Sequence, residues 1–79
     1  GAGTLILTST TGGLAGVYVN NNGWLERIYE FKKLSTKETL LLQPGKYLLI
    51  YRTHDKRAAE FTRAVDFEII SGQYTTLRL

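Results

Sequence analysis

The strongest constraint in this chain is an alternation of apolar and polar side chains at a period of two, broken at short intervals by glycine, asparagine or proline. It is cleanest over Val65, Asp66, Phe67, Glu68 and Ile69. Successive side chains of an extended chain point to opposite faces, so this segment reads as a strand with one face on a core and the other in water. No stretch carries the i, i+3, i+4 spacing of a convincing amphipathic helix. The fold class expected is all-β, a small antiparallel sandwich of about seven strands.

The punctuation places the strands. Residues 4–9 are rich in β-branched residues and leucine, and residues 10–13 have turn composition. A second strand over 15–20 puts Val17 and Val19 on one face and Tyr18 on the other. Asn20, Asn21, Asn22 and Gly23 then read as a hairpin turn, because asparagine and glycine tolerate the positive φ of tight primed turns. The returning strand is 24–31. After a polar connection over 32–37 comes a short strand at 39–42, then Gln43, Pro44 and Gly45 as a reversal. Strands follow at 46–52, across Val65 to Ile69 and at 74–79, with a polar loop over 53–60 and a turn at Ser71 and Gly72. The expected core is Leu5, Leu7, Val17, Val19, Leu40, Leu42, Tyr47, Leu49, Tyr51, Val65, Phe67, Ile69, Leu77 and Leu79.

Seventy-nine residues make one domain, which removes only roughly 60% of its unfolded surface from water. A large buried cleft is not expected of it. With 43% hydrophobic and 22% charged residues the composition is that of a globular domain. No apolar run approaches the length that spans a bilayer, so no membrane insertion is expected. The chain has no cysteine, hence no disulfide, and it has no methionine. Residues 1–3 are therefore read as a scar or linker on a piece cut from a longer protein, and residues 4–79 as the domain.

Several quoted segments resemble a known pattern. Gly3-Thr4-Leu5-Ile6-Leu7, Val17-Tyr18-Val19-Asn20, Leu42-Gln43-Pro44-Gly45-Lys46-Tyr47 and Phe67-Glu68-Ile69 with Gly72 look like PEGA-type modules. Those begin Gly-x-Leu-x-Val, carry a Val-Tyr-Val-Asp-Gly hairpin and a Leu-x-Pro-Gly-x-Tyr turn, and adopt a prealbumin-like β-sandwich. The segment at Trp24, the stretch from Thr39 to Tyr47 and the strand at Phe67 also resemble C-terminal modules of bacterial von Willebrand factor type A domain proteins. The resemblance implies a non-catalytic accessory piece of an exported envelope protein, outside the cytoplasm, in contact with a neighbouring domain or another envelope protein. It supplies no catalytic residues.

Reactive groups are sparse. His54, the one histidine, lies beside Asp55 in a polar loop, where neighbours point in different directions, so it reads as solvated. One histidine without cysteine leaves zinc short of ligands, and the scattered carboxylates build no calcium loop. The glycines at 12, 13 and 16 precede a strand, whereas a phosphate cradle needs a helix N-terminus. No cofactor, metal or enzymatic activity is expected.

Binding candidates remain. Trp24 and Tyr29 can anchor a protein interface or stack on a sugar, although the simpler place for Trp24 is over the core end at the hairpin. Arg52, His54, Lys56, Arg57 and Arg63 form the densest basic group, the footprint expected of an OB-like nucleic-acid binder. Asp55 and Glu60 interrupt it, and a net charge of +3 is spread over the chain. Nucleic acid is thus not the expected partner. The expectation is an interaction module presenting Trp24, Tyr29 and an edge strand, with nucleic-acid binding or carbohydrate binding through Trp24 as the alternatives.

Overall fold

A computed structural model describes residues 1–10, 12–53 and 62–79. It holds seven strands in two packed sheets: β1 (Gly3–Thr8), β2 (Leu14–Asn21), β3 (Trp24–Phe31), β4 (Lys37–Leu42), β5 (Gly45–Arg52), β6 (Thr62–Ile69) and β7 (Tyr74–Arg78). One sheet has the order β4-β1-β7, the other β3-β2-β5-β6. No described residue is helical. The domain is all-β and sandwich-like, as the alternation predicts.

One ladder departs from expectation. The sandwich is not antiparallel throughout, because β1 and β7 pair in parallel, with Thr4 opposite Tyr74 and Thr8 opposite Arg78. A period of two specifies which face a side chain takes but not the direction of the neighbouring strand. The remaining ladders are antiparallel.

The core lies between the sheets. Leu5, Leu7, Val17, Leu42, Tyr47, Leu49, Tyr51, Phe67 and Ile69 are buried in one cluster, and Val19, Leu40, Val65, Leu77 and Leu79 pack half-buried against it. Each fully buried leucine, valine or isoleucine contributes about 1.5–3 kcal/mol relative to exposure. Ala15, Phe31 and Leu34 complete the cluster. Leu34 sits in the connection expected to be polar, where its backbone N–H donates to the Gly13 carbonyl at 2.8 Å. That bond docks the β3–β4 connection on the β1–β2 loop, so the side chain meets the core without belonging to a strand. β4 and β6 also begin earlier than expected, at Lys37 and Thr62. Their polar starts pair with β1 and β5, so ladder hydrogen bonds extend these strands beyond their apolar alternation.

A polar group closes one end of the sandwich. The Tyr51 hydroxyl donates to the Gly12 carbonyl at 2.8 Å and lies 3.4 Å from the Ser9 hydroxyl. Buried polar atoms need such partners, because a bond left unmade costs more than the net gain from making it. Gly13 beside it has φ of 118°, and a Cβ there would collide with the Arg52 carbonyl. Glycine is required at that crossing.

Candidate functional site

The β2–β3 hairpin turns as its sequence predicts. Asn22 and Gly23 are its two central residues, both at positive φ (55° and 89°), and Asn21 pairs with Trp24 across them. Two positive φ values in a two-residue loop define a type I′ turn, whose twist matches that of the flanking strands. The Asn20 side-chain oxygen accepts from the Gly23 N–H at 2.9 Å, fixing the turn from below.

Below the turn the ribbon leaves the sheet. β2 pairs with β5 only from Leu14 to Tyr18, while its pairing with β3 continues to Asn21. At the point of divergence the β2–β3 register shifts: Val17 pairs with Tyr29 and Tyr18 with Arg27, which leaves Ile28 as an extra residue on β3. A bulge bends the strand that carries it and re-aims its side chains. Residues 19–26 therefore form a two-stranded ribbon, which with Ile28 and Tyr29 at its base makes up the arm.

The bulge has a second effect. Trp24 and Tyr29 are an odd number of residues apart and would take opposite faces of a regular strand. With one residue inserted between them, Trp24 lies opposite Asn21 and Tyr29 opposite Val17, and Val17, Val19 and Asn21 share one face of β2. Both aromatics come to that face. The same offset puts Arg27 and Glu30 on the other face, where they form an ion pair at 3.2 Å. Nothing in the period-two pattern announces the bulge, since no glycine marks it.

Exposure separates the arm from the core. Trp24 is 80% exposed, and Leu25, Ile28 and Tyr29 are also exposed. The expectation that Trp24 covers the core end is thus overturned: the turn carries it beyond the last pairing with β5, where the described residues leave it largely uncovered. Tyr29 differs, because its ring meets the buried Phe31 edge-on with centroids 4.8 Å apart. Such aromatic pairs add about 0.5–1.5 kcal/mol beyond area burial and hold the exposed ring in place. Among the described residues β3 pairs only with β2, which leaves its outer edge open to another strand.

The two described members of the basic group, Arg52 and Arg63, take opposite faces of the sheet. Arg63 lies opposite buried Tyr51 and shares its side of the sheet, whereas Arg52, one residue on, points to the opposite face. Arg52 there borders a hollow of about 310 Å³ with Tyr18, Arg27, Glu30 and Ile50, floored by Gly16. His54, Lys56 and Arg57 lie outside the described residues, as does the polar loop that holds them. Among the described residues no three of His, Cys, Asp and Glu come together as metal ligands would. No helix among them is long and apolar enough to cross a membrane. Comparison with family models, with curated proteins and with solved structures returns no match.

Proposed function

We propose that this chain is a non-catalytic interaction module that docks on a neighbouring domain or a separate protein through the β2–β3 arm. The observation that carries this reading is the placement of Trp24 and Tyr29 on one face of an open-edged strand, with Trp24 projecting and Tyr29 braced on Phe31. Tryptophan and tyrosine are the side chains most enriched among residues that dominate binding energy, because they bury much area at little entropic cost. Four large apolar groups on one strand contribute little to this domain's own core, and their exposure has a price in solubility that an interface removes.

The two-sheet arrangement is read as the prealbumin-like kind, similar to PEGA-type modules, with the envelope as its setting. Support for both is the resemblance at Gly3 to Leu7, Val17 to Asn20 and Leu42 to Tyr47. The tight link at Gln43 and Pro44 fits that reading, since it carries the chain from one sheet to the other and the Tyr47 hydroxyl ties back to the Gln43 carbonyl.

A photocrosslinking amino acid at position 24 or 29, introduced in the cells that make the protein, tests the arm. A discrete adduct from these positions, within the same polypeptide or to another protein, and none from position 66 on β6, is the expected outcome. Equal labelling from position 66, or no adduct from the arm, overturns the assignment.

A further inference from the structure

A second surface, on the opposite side of the molecule from the core of β1, has a different chemistry. Alternation turns Leu5 and Leu7 inward, so Thr4, Ile6 and Thr8 face out along the middle of the three-stranded sheet. The register sets their neighbours. Thr8 lies between Lys37 of β4 and Arg78 of β7, and at the other end Thr4 lies between Leu41 and Tyr74. Between these rows Thr39 and Thr76 flank Ile6.

Among the described residues the side chains of this face include two cations and no carboxylate. Glu38, next to Lys37 in sequence, pairs with Leu7 on the inward side, and its Oε2 accepts from the Ser35 N–H at 3.1 Å. Among the described residues neither Lys37 nor Arg78 has an acidic partner. Beyond Arg78 the face opens into a hollow of about 450 Å³ lined by Thr8, Ser9, Thr10, Thr36, Arg78 and Leu79. The Ser9 hydroxyl is taken up by Gly12 and Tyr51, whereas the hydroxyls of Thr8, Thr10 and Thr36 have no partner among the described residues. A guanidinium, an ammonium and free hydroxyls are the donor set for an anionic oxygen group.

The opposite end fits a sugar. Tyr74 is 75% exposed and Leu41 71%, two apolar platforms with threonine hydroxyls between and beyond them. Strands lie about 4.8 Å apart, and alternate residues about 6.7 Å apart along each strand, so the rows at Thr4 and Thr8 are separated by roughly 13 Å. A ring can stack on Tyr74 while an acidic group two or more sugars away reaches the cations. A nucleic acid fits less well, because it would find one aromatic and two cations where stacking platforms and a basic track are needed.

We propose that the outer face of the three-stranded sheet binds an acidic oligosaccharide, its carboxylate or sulfate held between Lys37, Thr8 and Arg78 and a sugar ring laid on Tyr74. This site is independent of the β2–β3 arm. The test is an amide chemical-shift titration of the 79-residue chain with tetragalacturonate, a heparin tetrasaccharide, neutral cellotetraose and an octathymidylate. Either acidic saccharide should shift resonances on β1, β4 and β7 at concentrations up to about 1 mM, with the carboxylated and sulfated arms telling which group is preferred. Cellotetraose should bind at least about tenfold more weakly. K37Q/R78Q should lose about tenfold or more, Y74A a smaller factor, and W24A none. Absence of shifts with both acidic saccharides, shifts confined to the β2–β3 arm, equal binding of cellotetraose, or undiminished affinity in K37Q/R78Q overturns the site. Tighter binding of the octathymidylate overturns the saccharide assignment.

Discussion

Strand β2 behaves as two strands in one. From Leu14 to Tyr18 it is paired on both sides, by β3 and β5, and Ala15, Gly16 and Val17 are buried. From Val19 to Asn21 it keeps only β3, and burial fades to full exposure at the turn. The first half is held by the core and would tolerate little change. The second is held by ladder bonds and turn chemistry, so its side chains are free to serve something else. A domain of this size has little stability to spare, and carrying an exposed tryptophan on the less supported half is a sign of use.

The comparison breaks first if the core half is not the seat of stability. Leu49, wholly buried and opposite Val17, is its test. Leu49→Ala should destabilise by about 2–5 kcal/mol, the transfer loss plus the cavity left behind. Much of the stability of a domain this small would go, so urea denaturation should find the variant partly unfolded in buffer. A loss below about 1 kcal/mol would mean that the sheets do not pack as described.

Tyr51→Phe probes the polar closure of the same end. It removes the hydroxyl that donates to the Gly12 carbonyl and lies beside Ser9. A cost of about 1–3 kcal/mol is expected, because a half-buried acceptor loses its shorter bond and keeps only the 3.5 Å one from Ser9, while the ring stays packed. Faster amide exchange confined to residues 9–14 and Leu34 would localise the effect to the loops that this bond holds. Further out, Gly23→Ala should cost about 1 kcal/mol, since φ of 89° is strained for any side chain although the space is open. Its damage should stay within the arm, leaving core exchange rates as they were.

How far the sequence carried these features differs between the two halves. All fourteen residues expected in the core lie in it or against it, because strict alternation fixes the face once a strand is recognised. Asparagine and glycine likewise announced the type I′ turn at Asn22 and Gly23. Three things were illegible for physical reasons. The parallel pairing of β1 with β7 joins the two ends of the chain, and no local turn encodes it. Leu34 is buried by a loop that folds over the core, outside any alternation. The bulge at Ile28, which brings Trp24 and Tyr29 to one face, arises from a register that only the partner strand defines. The aromatics themselves stood out in the sequence, while their shared face did not.

Trp24→Ala is the smallest expected change in stability and the sharpest test of the division. A tryptophan covering the core would cost about 3–5 kcal/mol on truncation to alanine. One that is 80% exposed should cost no more than about 0.5 kcal/mol. Since Trp24 is the one tryptophan in the chain, its fluorescence gives an independent reading. Emission should have the wavelength of a hydrated indole in the folded protein, be quenched freely by acrylamide, and shift little on unfolding. A blue-shifted, protected emission with a large destabilisation would return Trp24 to the core and remove the arm as a docking surface. Hydrated emission in the isolated chain, with protection appearing only when the docking partner is present, would assign the exposed half of β2 and β3 to recognition and leave folding to the other.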